Sequence, residues 1–77
     1  MQAVAMKGVS RRPTLVSVQA GSRQRWEVVV EQRERPQFFN DRDLALSYAQ
    51  IWASVHRPST VRVYGSAGAV EREWQFA

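Results

Sequence analysis

The chain has 77 residues, a formal net charge of +4 and no cysteine. A chain of this length forms one domain with a small core, and the lack of cysteine excludes disulfides and thiolate metal sites. No apolar run reaches the roughly 18 residues that a membrane-spanning helix needs, and no secretory signal is recognisable. We therefore expect a cytoplasmic protein without a membrane anchor.

Residues 1–13 are predicted to form a mobile basic leader, and residues 14–77 a single domain. The leader contains three basic residues and no acidic one, and Gly8 and Pro13 interrupt any regular pattern in it. Met6 is an alternative start that would leave the domain intact. Since the remaining chain is almost balanced in charge, most of the positive charge is expected to lie in the leader.

Four segments alternate between apolar and polar residues, a pattern typical of strands; they are 14–19, 25–32, 59–64 and 69–76. The glycine-containing turns at 20–22 and 65–68 predict that the first two and the last two strands form hairpins. Segment 33–40 is predicted to be a loop, because Pro36 lacks the N–H that a central strand needs. Phe39 is expected to pack under the start of the helix that follows.

One helix is predicted over residues 41–56. Its buried stripe is expected at positions spaced three and four residues apart, namely Ala45, Tyr48, Ala49, Trp52, Val55 and His56. Asp41 is a good N-cap residue, and Pro58 ends the helix because the residue before a proline avoids the α region. Ala45, Ala49 and Ala53 form a row at i, i+4 spacing, called here the alanine row, which would allow the helix to approach a sheet closely.

These elements predict an α+β fold with the order ββαββ, in which one helix packs on one face of a four-stranded, mainly antiparallel sheet. Two strand orders remain open, 1-2-3-4 with a parallel central pair and 1-2-4-3 with antiparallel neighbours only, and we favour the second. Val70 is expected on the helix side of the sheet. The uncovered face would carry Leu15, Val29 and Tyr64 among charged side chains. There Glu71 and Glu73 would pair with Arg62 across the last hairpin.

Over residues 25–74 the chain resembles a small bacterial family catalogued as domain-of-unknown-function family 2188. The motifs that carry the resemblance are Trp26-x-Val28, Phe39, the alanine row and Val61-x-Val63-Tyr64-Gly65-x-x-Gly68-x-Val70. Members often have Asp-Gly where this chain has Ala67-Gly68, and threonine where it has Asp41. The resemblance implies the same fold pattern and a bacterial or phage origin. It implies no activity and no catalytic residues.

The sequence offers no catalytic set, so we expect a protein that is not an enzyme and needs no metal or cofactor. His56 is the single histidine, and it lies at a helix end, where a cation is favoured. Asp41 and Asp43 lie at the opposite end of that helix, roughly 20 Å away at 1.5 Å per residue, so they cannot share a metal ion with His56.

Two main hypotheses remain for the function, with a small-molecule enzyme as a third that has the least support. The first is a homodimeric interaction module that binds protein partners and uses the uncovered sheet face or an edge strand to dimerise. The alternative is a nucleic-acid-binding accessory protein assisted by the basic leader. The candidate contact residues for a partner or for nucleic acid are Arg23, Arg25, Arg33, Arg35, Arg62 and Tyr64. Interleaved glutamates argue against the alternative, because they repel phosphate.

Overall fold

The computed structural model describes residues 12–33 and 35–77. In chain order it contains β1 (Thr14–Ala20), a 3-10 turn (Ser22–Gln24), β2 (Trp26–Val30), β3 (Gln37–Phe39), α1 (Arg42–Val55), β4 (Ser59–Tyr64) and β5 (Val70–Phe76). Apart from Arg12 and Pro13, the predicted basic leader lies outside the described residues. The α+β class and the single helix agree with the prediction from the sequence.

The sheet has five strands in the order β3-β2-β1-β4-β5, one more than predicted. The additional strand is β3, which lies within the segment predicted to be a loop. It pairs antiparallel with β2, with Phe39 opposite Trp26. Pro36 is compatible with this pairing because it precedes a short edge strand and needs no ladder hydrogen bond.

Neither of the two strand orders considered from the sequence is correct. β1 and β4 are parallel neighbours at the centre of the sheet, with Val16 opposite Val61, and the other three pairs are antiparallel. The reason is β3: it occupies the outer edge of β2, so β4 pairs with the free edge of β1. The helix connects β3 to β4 as the crossover that a parallel pair requires.

The core lies between α1 and one face of the sheet. Ala45, Ala49 and Ala53 of the helix are fully buried, as the alanine row predicts, and they pack against six valines of the three inner strands: Val16, Val18, Val28, Val30, Val61 and Val63. Short side chains on both sides allow the helix to lie close to the sheet. Among the described residues, all nine buried apolar side chains are valine or alanine.

The helix begins as the sequence predicts. Asp41 is its N-cap, and an Asp41 side-chain oxygen accepts a hydrogen bond from the backbone N–H of Asp43 at 3.4 Å. At the other end, the backbone N–H of His56 donates to the Trp52 carbonyl oxygen at 3.0 Å.

No helix in the described part of the chain is long and apolar enough to cross a membrane.

A β-bulge in the last hairpin changes which side chains share a face. Tyr64 pairs with Val70, whereas Val63 pairs with Arg72, so Glu71 is left without an opposite residue. Such an extra residue reverses the alternation of the strand beyond it. Val70 therefore lies on the uncovered face and is 48% exposed, which corrects the prediction that it lies on the helix side.

Glu71 changes partner as a result of the bulge. Its carboxylate pairs with Arg42 at the start of α1, at 2.8 Å, and not with Arg62 as predicted. Glu73 does pair with Arg62, at 2.9 Å.

Candidate interaction surfaces

The six contact residues predicted from the sequence do not form one patch. Arg23 and Arg25 precede β2, whereas Arg33 and Arg35 follow it, and five residues of strand span about 17 Å. The other two residues, Arg62 and Tyr64, lie on β4, on the uncovered face of the sheet. The predicted basic surface is thus divided among three places.

Arg62 is neutralised by its neighbour on β5. Its Nε donates to Glu73 Oε1 at 2.9 Å, and Gln75 Nε2 donates to the other Glu73 oxygen at 2.8 Å. The hydrogen bond from Arg62, followed by that from Gln75, holds the pKa of Glu73 below its usual value. The same pair raises the pKa of Arg62. The centre of the uncovered face is therefore an ion pair and not a free cation.

Five arginines lie over aromatic rings. Arg25 stands 4.6 Å from the Phe38 ring centroid, and Arg33 stands 5.6 Å from that of Trp52. The remaining stacks are Arg42 on Trp26, Arg57 on Phe76 and Arg72 on Trp74. Proteins contain about one significant cation–π contact per 70–80 residues, so these five arginines make an unusually dense set, and four of them cover aromatic rings that pack at the margin of the core.

A cleft that the sequence does not predict lies at the C-terminal end of α1. The His56 ring stacks on Trp52, with centroids 3.8 Å apart and planes 12° from parallel. His56 Nδ1 lies 2.8 Å from the Trp52 carbonyl oxygen; since a carbonyl only accepts, Nδ1 carries the hydrogen. The cleft has a volume of about 510 Å³ and is lined by Arg12, Thr14, Gln32, Trp52, His56, Arg57 and Pro58.

The i, i+4 spacing of Trp52 and His56 was the sequence signal for the stack. The cleft around it could not be predicted, because its other walls come from the entry to β1 and from the end of β2. The Arg12 side chain pairs with Glu31 at 3.1 Å, and Arg57 Nε donates to the Ser54 carbonyl oxygen at 3.0 Å. The cleft is basic, but these two arginines already have partners.

A second unexpected feature is an apolar row along the outside of the helix, formed by Leu44, Tyr48, Ile51 and Val55 and called here the outer stripe. Leu44, Ile51 and Val55 are 57%, 66% and 72% exposed. Val55 is predicted from the sequence to lie in the buried stripe, and its exposure corrects that prediction. Leu44 and Ile51 were not assigned to a surface, although the spacing of four, three and four residues is visible in the sequence.

The outer stripe lies on the β3 side of the helix. The Tyr48 ring contacts the ring of Phe39, with centroids 5.3 Å apart and planes tilted by 43°, so Phe39 packs under the helix as predicted. Tyr48 is half-buried by this contact, while the other three side chains of the stripe project beyond it. The outer stripe therefore extends from the edge of the core onto the solvent-exposed side of the helix.

The uncovered sheet face is less apolar than this helix surface. Leu15, Val29 and Tyr64 lie there as predicted, but each is half-buried among polar neighbours. Among the described residues, only Phe38 and Val70, on the two outermost strands, have large exposed apolar side chains on this face. The face therefore has no continuous apolar centre.

No group of three or more potential metal ligands occurs within residues 12–33 and 35–77. In the comparisons with known proteins, no family model matches the chain, and no curated protein and no solved structure matches it either.

Proposed function

We propose that this chain is a small non-enzymatic interaction module of the bacterial cytoplasm that forms a homodimer and binds protein partners. The observation that carries the proposal is the outer stripe. Monomeric proteins seldom expose contiguous rows of large apolar side chains, and such rows are typical of interaction surfaces.

The composition of the core supports association. Every buried apolar side chain within residues 12–33 and 35–77 is a valine or an alanine, while Leu44 and Ile51 remain more than half exposed. A domain of this size buries only about 60% of the surface that its unfolded chain exposes. Covering exposed apolar area contributes roughly 25 cal/mol per Å², so self-association would supply stability that the small core lacks.

The positions of the reactive side chains support a non-enzymatic role. The single histidine is stacked on Trp52, and three glutamates of the described chain are held in arginine ion pairs: Glu31, Glu71 and Glu73. These groups satisfy structural contacts and do not form a nucleophile–base pair in a cleft. The resemblance to domain-of-unknown-function family 2188 is part of the proposal and would add no activity to it.

The basic cleft favours the second candidate function, a nucleic-acid-binding accessory protein. Arg12, His56 and Arg57 line it beside the Trp52 ring, and a cationic cleft with an aromatic wall suits a phosphate next to a base. Against this candidate, the predicted arginines lie in three separate places and Arg62 is paired with Glu73. We therefore rank it second.

Light scattering of the wild-type chain over a range from micromolar to millimolar tests the proposal. We expect the mass to rise with concentration from the 8.8 kDa of the monomer towards twice that value. A monomer at every concentration would contradict the proposed homodimer. Titration with mixed-sequence DNA and RNA at low and near-physiological salt tests the second candidate, which requires binding that weakens steeply with salt.

A further inference from the structure

We propose that two copies of this chain pair through the outer stripe, with their α1 helices antiparallel about a two-fold axis. This inference rests on the proposed function and specifies the surface that a homodimer would use. It names a surface different from the uncovered sheet face and the edge strands.

The spacing of the outer stripe is that of a helix-pairing seam. Leu44, Tyr48, Ile51 and Val55 are separated by four, three and four residues, the spacing of alternating d and a positions in a heptad. At 100° per residue these four positions fall within about 60° of the helix circumference. The stripe is therefore narrow and straight, as one helix needs to be to pack along another.

The stripe is also compatible with a two-fold axis. If the axis passes midway between Tyr48 and Ile51, Leu44 lies opposite Val55 of the second copy, and Tyr48 lies opposite Ile51 of the second copy. Each contact then occurs twice, as an isologous interface requires. Each of these contacts also joins two apolar side chains, and no polar residue lies between them in the interface.

Charge at the helix ends favours the antiparallel orientation. Asp41 and Asp43 lie at the start of α1, and Arg57 follows its end. The Arg57 guanidinium donates to the carbonyl oxygens of Ser54 and Ala77 and, among the described residues, pairs with no carboxylate, so its positive charge is not neutralised. In the part of the chain that the structure describes, neither aspartate takes part in an ion pair. Antiparallel pairing brings the acidic end of one helix beside the basic end of the other, and it also opposes the two helix dipoles. Parallel pairing would place acid beside acid.

The size of the stripe determines how stable the pair is. A helix of 14 residues is about 21 Å long, and one face of it buries less than the roughly 800 Å² per partner of a standard interface. We therefore expect a dimer that forms with increasing concentration and dissociates on dilution.

Disulfide trapping tests the pairing, since the chain has no cysteine of its own. In the antiparallel pair, Leu44→Cys of one copy meets Val55→Cys of the other, whereas identical positions lie about 16 Å apart along the helix. A disulfide needs Cα atoms within about 7 Å. Under mild oxidation, a mixture of the two variants should give mixed dimer well above the amount of homodimer that either variant gives alone, because only the mixed pair meets this distance.

Val70→Cys mixed with Val55→Cys is the matched control, because Val70 is also exposed but lies on the uncovered sheet face; it should give no mixed dimer above background. Efficient trapping of Leu44→Cys or Val55→Cys alone would overturn the antiparallel orientation. If no mixture is trapped while light scattering shows a dimer, the helix pairing is wrong and the proposed homodimer stands. If light scattering shows a monomer throughout, the proposed homodimer itself fails.

Discussion

The Glu31 carboxylate accepts a hydrogen bond from the backbone N–H of Leu15, with 3.0 Å between the two atoms. Its other oxygen lies 3.1 Å from Arg12 Nη2. The Glu31 side chain, in the turn after β2, therefore contacts both Leu15 at the start of β1 and Arg12 two residues before that strand. The hydrogen bond from Leu15, followed by that from Arg12, lowers the pKa of Glu31 from the ordinary value of 4.5.

This lowered pKa makes stability depend on pH. As the pH falls through 4.5, Glu31 of the unfolded chain binds its proton before Glu31 of the folded chain does. The stabilising contribution of Glu31 is therefore present above that pH and is lost as the pH falls through the lower folded-state pKa. We expect Glu31→Gln to lower the urea midpoint at about pH 7, and we expect this deficit to shrink progressively as the pH falls below 4.5. An undiminished deficit below pH 4.5 would contradict this assignment.

The helix N-cap gives a second prediction. Asp41→Ala removes the side-chain acceptor for the Asp43 N–H, and the loss of such a cap costs about 0.5–2 kcal/mol. We expect a decrease in the free energy of unfolding within this range, measured by urea denaturation. Asp41→Ser is the control, because serine keeps an acceptor at the cap and should recover most of the loss.

The close approach of helix and sheet gives a third prediction. Ala49 is fully buried against the valines, so Ala49→Leu forces added atoms into a packed layer, at a cost of about 1–3 kcal/mol. Ser47→Leu introduces the same side chain at an exposed position of the same helix and serves as the control. Equal unfolding free energies for the two variants would show that the alanine row does not set the helix–sheet distance.

The last turn gives a fourth prediction. Gly68 has a φ of +85°, and a Cβ added there would meet no atom within 4 Å. Gly68→Ala should therefore cost only the left-handed backbone penalty, about 1–2 kcal/mol. Gly68→Asn should cost less, since asparagine tolerates this region better. A larger loss for asparagine than for alanine in thermal unfolding would contradict the conformational explanation.

The parts of this structure that could be predicted from sequence are those fixed by local pattern. The Asp41 cap, the buried alanine row and the inward valines follow from residue spacing alone. The strand β3 could not be predicted, because its existence depends on pairing with β2, and the position of β4 depends in turn on β3. The bulge that turns Glu71 towards Arg42 is likewise a property of two strands together.

The candidate interaction surfaces also include features that the local sequence pattern predicts and features that it does not. The positions of Leu15, Val29 and Tyr64 followed from strand alternation. The exposure of Val55 could not be predicted. The apolar stripe of the helix is broad, and the sequence does not show which of its positions the sheet covers. The cleft beside Trp52 is formed by segments distant in sequence, so no local spacing indicates it.

Sedimentation equilibrium of three chains, the wild type, Ile51→Glu and Val70→Glu, locates the dimer interface. Both substitutions place a carboxylate at an exposed apolar position, one on the outer stripe and one on the uncovered sheet face. We predict that the wild type and Val70→Glu form dimers with similar dissociation constants, and that Ile51→Glu remains a monomer at the same concentrations. A dimer retained by Ile51→Glu and lost in Val70→Glu would rule out pairing through the outer stripe and assign the interface to the uncovered sheet face.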